Sequence, residues 1–118
     1  MKRADLAGGA RARQALESLH SRFFQGLADP TRLRIVRTLL EGPSTVGRLV
    51  ARIGASQSGV SNHLACLKWC GYVTAQRSGR SVLYRISDPR VRSLVKTAES
   101  IVADNASRLA SCTRISRG

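Results

Sequence analysis

Long apolar runs are absent from this chain of 118 residues. None approaches the roughly 20 consecutive apolar residues that a membrane-spanning helix requires. Lys2 and Arg3 are not followed by the apolar core of a signal peptide, so we expect a cytoplasmic protein with no membrane partner. Internal repeats and low-complexity segments are also lacking. The 42% of hydrophobic residues therefore favours one small globular domain with a modest core.

Acidic residues are scarce as well. Seven Asp and Glu oppose 20 Lys and Arg, which gives a net charge of +13. No acidic residue lies between Gly42 and Ser87, although that segment carries six basic ones: Arg48, Arg52, Lys68, Arg77, Arg80 and Arg85. This excess favours an anionic partner, and nucleic acid is the commonest one. Charge alone leaves open a generally basic surface, as in a ribosomal or membrane-surface protein, and a non-regulatory nucleic-acid-binding module is a more remote alternative.

The sequence also lacks the motifs of catalysis. It has no nucleophile–base pair, no glycine-rich phosphate loop and no paired carboxylates. His20 and His63 are the two candidate bases, and neither has an evident partner in the sequence. We therefore expect that the protein is not an enzyme.

Cysteine is limited to Cys66, Cys70 and Cys112. An odd number without signs of secretion argues against a disulfide framework and favours thiols or metal ligands. Cys66 and Cys70 are spaced i, i+4, so on a helix their sulfurs lie one turn apart. Such a pair can ligate one metal ion, or it can simply pack as small buried side chains. A redox- or persulfide-sensing pair is a further alternative, although an i, i+4 disulfide fits helical geometry poorly.

The patterns that are present predict four helices, a hairpin and a long last helix. Apolar spacing predicts the first helix over 11–26. Asp29, Thr45 and Ser56 are expected to cap the next three, with stops at Glu41-Gly42-Pro43, Gly54 and Gly71. The period then changes to two, which predicts strands over 72–77 and 81–87 around a tip at Ser78-Gly79-Arg80. An apolar stripe from Val91 to Leu109 predicts the last helix.

This order is typical of a mainly α fold with a β-hairpin wing, the winged helix-turn-helix (ααααββα). We assign 11–110 to this DNA-binding and dimerisation domain, 1–10 to a flexible N-terminus and 111–118 to a C-terminal tail. The first and last helices carry apolar stripes that one small core cannot easily bury, so we expect a homodimer. The stripes are Leu16, Leu19 and Phe23 on the first helix and Leu94, Ala98 and Ile101 on the last.

The fourth helix has the two faces of a recognition helix. Val60, Leu64 and Leu67 fall on its core side. Small and amide-bearing residues on the other side can approach base edges, while basic groups there and on the wing can reach phosphates. The candidate contacts to double-stranded DNA are Gln57, Ser58, Ser61, Asn62, His63, Lys68, Arg77 and Arg80.

Three runs of sequence together closely resemble the ArsR/SmtB family of bacterial repressors. They are Leu27-Ala-Asp-Pro-Thr-Arg-Leu-Arg-Ile-Val36, Ser58-Gly-Val-Ser-Asn-His-Leu-Ala-Cys-Leu67 and Gly71-Tyr-Val73. The resemblance implies a homodimer that occupies operator DNA without ligand and leaves it when an inducer binds. His63 has a counterpart in the family motif, where it is usually structural or DNA-facing.

Within that family, Cys-Leu-x-x-Cys-Gly on the recognition helix and a later cysteine look like the cadmium- and lead-sensing CmtR-type branch. The resemblance implies Cys66 and Cys70 of one protomer and Cys112 of the partner as ligands. All-thiolate coordination favours Cd(II) and Pb(II) as inducers, with Zn(II) as a competitor. Ser44-Thr-Val-Gly-Arg48 lacks the Cys-x-Cys of other branches. The last helix has no histidine for the zinc-sensing type of site.

Overall fold

The computed structural model of the protein describes residues 9–111. Its elements are α1 (Ala10–Gln25), α2 (Pro30–Leu40), α3 (Val46–Ile53), α4 (Gln57–Trp69), β1 (Val73–Ser78), β2 (Ser81–Ile86), α5 (Arg90–Asp104) and α6 (Ala106–Ser111). The chain divides into two compact units between Ser87 and Asp88. The predicted flexible N-terminus and C-terminal tail fall largely on 1–8 and 112–118, outside the described residues.

Local capping explains where the helices of the first unit begin. The side chain of Asp29 accepts a hydrogen bond from the Arg32 backbone N–H at 3.0 Å, with Pro30 in the first helical position. Thr45 and Ser56 cap α3 and α4 in the same way, at 3.2 Å and 3.0 Å. Gly54 ends α3 in the left-handed conformation, with φ 79°. The predicted starts of all three helices are confirmed.

The core of the first unit lies between α2, α3, α4 and the hairpin. Its fully buried side chains come from these elements and from the segment after α4: Ile35, Val36, Leu49, Val60, Leu64, Leu67, Tyr72 and Val73. α4 packs against α2, α3 and β1. One face of α4 is thereby fixed in the core and the opposite face is left to solvent.

The hairpin forms the predicted wing. β1 and β2 pair antiparallel from Val73↔Ile86 to Ser78↔Ser81, and Gly79 and Arg80 form the turn. Gly79 has φ 62°, which a two-residue turn with glycine first accommodates without strain. Ser44 exchanges two backbone hydrogen bonds with Tyr84, at 3.0 and 2.8 Å. These bonds anchor the wing to the connection between α2 and α3.

The second unit departs from prediction, because the last helix is interrupted at Asn105. The Asn105 side-chain amide donates to the Ile101 carbonyl at 2.9 Å, and its backbone leaves helical geometry at φ −122°. Asn side chains compete in this way with the helical hydrogen-bond ladder. The predicted single helix is therefore two, α5 and α6. Among residues 9–111, no helix combines the length and apolar character that a membrane-spanning segment requires.

Candidate nucleic-acid interface and cysteine site

α4 presents two chemically distinct faces. Val60, Leu64 and Leu67 are buried, as predicted. The opposite face is exposed and carries Gln57, Ser58, Ser61, Asn62, Ala65 and Lys68. Small hydroxyl and amide side chains there leave room for close approach of a base edge, and Lys68 provides one positive charge. The division of faces is confirmed, and the role of these residues as DNA contacts stays a prediction.

The wing adds two cations to the same unit. Arg77 on β1 and Arg80 in the turn are both exposed. Arg52 on α3, by contrast, pairs with Glu41 at 3.2 Å. Exposed guanidinium groups suit contacts to phosphate oxygens. Of these three arginines, the two on the wing are therefore the better placed for an anionic backbone.

His63 lies between the two faces of α4 and is half-buried. Its Nδ1 is 3.4 Å from Arg32 Nη1, and its Nε2 is 3.9 Å from Asp29 Oδ2. Both ring nitrogens thus have partners at the start of α2. Its place in the DNA interface stays a prediction, while its contacts to α2 are those of a residue that positions α4.

Cys66 and Cys70 are free, half-buried thiols on the flank of α4. They stand one helical turn apart, in line with their i, i+4 spacing. Burial raises the pKa of the Cys70 thiol, the nearby Cys66 raises it further, and the Arg32 guanidinium opposes both effects. Within the described residues, no group of three or more His, Cys, Asp and Glu is placed to hold a metal ion. Cys112 lies outside them.

Cys70 also touches the last turn of α1. Its Sγ is 3.9 Å from the carbonyl oxygen of Arg22, within the longer reach of a thiol donor. A Cβ added to Gly26 would lie 2.9 Å from Cys70 Sγ and 3.1 Å from Cys70 Cβ. The missing side chain of Gly26 therefore allows the candidate metal ligand to pack directly on α1.

Two further residues hold the same turn. Arg32 donates from Nε to the Gly26 carbonyl at 2.7 Å and from Nη2 to the Gln25 carbonyl at 3.0 Å. The Tyr72 hydroxyl donates to the Phe23 carbonyl at 2.8 Å, and the two rings stack with centroids 4.6 Å apart. Burial is the main cause that raises the pKa of Tyr72, so the phenol keeps its proton. These contacts provide a C-terminal cap for α1 from outside the helix.

Sequence reasoning missed Gly26, Arg32 and Tyr72 as residues of the site. Arg32 and Tyr72 stand within the family-like runs of sequence, which could have marked them as candidates. Their partners could not be inferred, because the Tyr72–Phe23 and Arg32–His63 contacts span 49 and 31 residues. No local pattern encodes pairs at that separation.

Comparisons with known proteins agree with this geometry. A family model described as bacterial regulatory protein, arsR family, matches residues 29–75. The chain is 50% identical over 95 residues to a probable mercury resistance operon repressor of Streptomyces lividans, covering 80% of this chain and 76% of the relative. It is 43% identical over 88 residues to the HTH-type transcriptional regulator CmtR of Mycobacterium bovis, covering 74% and 75%.

A solved structure matches over most of its length. The solution structure of the homodimeric winged helix-turn-helix DNA-binding domain Mb0332 from Mycobacterium bovis covers 93% of this chain and 99% of that one. Its TM-score is 0.74 and its sequence identity 29%. The fold is thus a winged helix-turn-helix of the class found in transcriptional regulators rather than enzymes. The chain belongs to the arsR family of bacterial regulatory proteins.

Proposed function

We propose that this protein is a homodimeric repressor that occupies operator DNA without metal and leaves it when a soft cation binds Cys66 and Cys70. The observation that carries the proposal is the pairing of two thiols on one flank of α4, the helix whose exposed face is suited to reading DNA. A ligand on that flank acts on the reading helix itself. In this proposal the protein works in the cytoplasm, where the operator is.

Operator binding is supported by shape and charge together. The exposed face of α4 offers polar contacts to base edges, and Lys68, Arg77 and Arg80 offer cations to the phosphates. The Streptomyces lividans relative is named as a repressor, which gives the direction of regulation. Residues 11–110 are the domain that we assign to both DNA binding and dimerisation.

Dimerisation is supported by apolar surface on both units. Leu19 and Phe24 on α1, and Ile101 and Val102 on α5, are each at least half exposed. Large apolar side chains left exposed on both units favour burial in an interface over free surface. The solved Mycobacterium bovis domain is described as homodimeric. Operators with paired half-sites need two reading heads, each made of the α4 helix and the wing of one protomer.

The choice of inducer depends on the number of thiolates. Soft cations prefer thiolate sulfur, which favours Hg(II), Cd(II) and Pb(II) over harder ions, with Zn(II) as a competitor. Two sulfurs complete a site for Hg(II), which accepts two-coordinate geometry. Cd(II) and Pb(II) need at least one more ligand, and Cys112 of the partner subunit is our candidate for it. We add Hg(II) to the two metals suggested by the sequence because the Streptomyces lividans relative is named a probable mercury resistance operon repressor.

The proposal is tested by measuring the operator affinity of cysteine variants with and without metal. Labelled operator is titrated with wild type, Cys66→Ser, Cys70→Ser and Cys112→Ser at fixed salt, with Cd(II) and Hg(II) in separate arms. We expect Cys66→Ser and Cys70→Ser to bind operator normally and to lose release by both metals. We expect Cys112→Ser to weaken the response to Cd(II) more than the response to Hg(II).

Two results would contradict the proposal. If Cys66→Ser still releases DNA at the wild-type metal concentration, the sensing site lies elsewhere. If mild peroxide releases the operator and forms a Cys66–Cys70 disulfide while metals do nothing, the pair senses oxidation instead. That second outcome requires the last turn of α4 to unwind, because disulfide geometry does not fit a helical i, i+4 pair.

A further inference from the structure

The described contacts attach α1 to the rest of the first unit through its last turn. No residue of α1 is buried. Among residues 9–87, the hydrogen bonds and ring contacts that join α1 to later elements come from Arg22, Phe23, Gln25 and the adjoining Gly26. The orientation of α1 on this unit therefore depends on a few contacts at one end.

One of these contacts is made by a candidate metal ligand. Cys70 Sγ packs against Gly26 without room for even a methyl group between them, and it faces the Arg22 carbonyl. Cys66 lies one helical turn before Cys70, so a cation on this flank can reach both sulfurs. We expect a cation bonded to both sulfurs to draw Cys70 Sγ toward Cys66 and so to change its packing on Gly26. A ligated thiolate also carries no proton to donate to the Arg22 carbonyl.

We propose that the last turn of α1 is the element displaced when metal binds the cysteine pair, and that Arg32 and Tyr72 are positioning residues that transmit this displacement. The inference rests on the proposed function and names the route by which metal alters DNA binding. Because α1 also carries part of the proposed dimer surface, a shift of its last turn changes how the two reading heads are spaced.

Arg32 extends the route to the reading helix. Its guanidinium bonds two carbonyls of the α1 turn and lies 3.4 Å from His63 of α4. A movement of the turn therefore acts on α4 through one rigid planar group. Tyr72 fixes the same turn from the segment that follows α4. The two residues oppose independent motion of α1 and α4, which is what coupling between two sites requires.

Conservative substitutions test this route without touching a thiol. Tyr72→Phe removes the hydrogen bond to the Phe23 carbonyl and keeps the stacked ring. Arg32→Lys keeps the charge and removes the fork that bonds two carbonyls. Tyr84→Phe on the wing and Arg34→Lys on the exposed face of α2 are matched controls. The readout is the ratio of operator dissociation constants with and without Cd(II), together with the thiolate-to-cadmium charge-transfer band.

We expect Tyr72→Phe to lower that ratio by about two- to tenfold, the worth of one neutral hydrogen bond. Arg32→Lys should lower it at least as much, because a single ammonium group cannot reproduce the rigid fork that bonds both carbonyls. Cadmium should still bind both variants at wild-type stoichiometry, and both should keep the wild-type operator affinity without metal, which an unfolded protein would not allow. Both controls should keep the wild-type ratio.

The outcomes separate the two proposals. If wild-type operator affinity does not respond to Cd(II), the proposed function fails before this inference is reached. If wild type responds and both variants respond equally well, metal acts on α4 without α1, and the inference alone is wrong. A ratio that falls equally in the matched controls also overturns it, since the effect would then not depend on the turn.

Discussion

Asp29 shows how one residue serves both folding and the site. Its carboxylate caps α2 through the Arg32 backbone and lies 3.9 Å from His63 Nε2. The hydrogen bond from the Arg32 N–H is the largest cause that lowers the Asp29 pKa below its ordinary value of 3.8. The residue that starts α2 thus also fixes the backbone from which the Arg32 side chain reaches α1.

We predict that Asp29→Ala lowers the free energy of unfolding by about 1 kcal/mol at neutral pH, the usual worth of an N-cap. Asp29→Asn should lose less, because the amide oxygen still accepts from the Arg32 N–H. Urea denaturation at pH 7 and near pH 3 checks this, with Asp104→Asn as an exposed control.

The pH dependence of that difference has a defined sign. A carboxylate with a lowered folded pKa contributes stability above its unfolded pKa and loses it as the pH falls through the folded value. The gap between wild type and Asp29→Asn should therefore narrow on acidification. If the difference in free energy of unfolding between wild type and Asp29→Asn widens at acid pH, the charged cap does not account for it.

At the scale of elements, sequence patterns predicted what local chemistry decides. Asp29, Thr45, Ser56 and Gly54 act within one turn of their own positions, so the boundaries of α2, α3 and α4 could be read directly. The two faces of α4 followed from its periodicity.

The features that sequence patterns missed depend on contacts between distant segments, or on competition between a side chain and the helix backbone for hydrogen bonds. The stripe from Val91 to Leu109 continues across Asn105, and apolar spacing does not register that an amide bonds the Ile101 carbonyl. The contacts at the last turn of α1 join three separate segments of the chain: that turn itself, Arg32 on α2, and Cys70 with Tyr72 after α4. No short stretch of sequence contains all of them. The cysteine pair was predictable as a neighbouring pair, but its packing on Gly26 was not.

Substitutions on the exposed face of α4 and on the wing should affect DNA binding in different ways. Ser61→Ala removes a hydroxyl from the exposed face of α4, so we expect weaker discrimination between operator and mutated operator, within about 1–3 kcal/mol for a good base contact. Arg80→Ala removes a wing cation and should weaken binding to all sequences alike. It should also reduce the slope of log affinity against log salt by about 0.9 for each phosphate that the wing no longer neutralises.

Fluorescence anisotropy with operator and scrambled duplex over a range of salt measures both effects. Ser18→Ala, an exposed hydroxyl deletion on α1, is the control for Ser61→Ala. Arg52→Ala is the control for the wing, since Arg52 already pairs with Glu41. If Arg80→Ala leaves the slope of log affinity against log salt unchanged, the wing tip does not contact phosphate.

At the scale of the whole molecule, the net charge of +13 opposes association of two copies, whereas the exposed apolar residues of the helices favour it. Two copies carry twice the charge and repel each other, so the apolar contact has to outweigh that repulsion. Six of the 20 basic residues lie in the acid-free stretch from Gly42 to Ser87, which includes no residue of α1 or α5. We expect the dimer seam on α1 and α5, whose exposed apolar residues lie outside that stretch of sequence.

Leu19 gives the sharpest test of that seam, because the residue is 58% exposed although it lies in an apolar stripe. In a two-fold interface each substitution acts twice, and burying a leucine contributes about 1.5–3 kcal/mol, so Leu19→Asp should cost the dimer at least about 3 kcal/mol. Ser18→Asp adds the same charge on the neighbouring exposed position and should leave the dimer intact. Sedimentation velocity over a dilution series compares the two variants. Operator binding should fall with dimerisation in Leu19→Asp, since two half-sites need two linked reading heads. If Leu19→Asp sediments as the wild-type dimer does, α1 is not part of the seam.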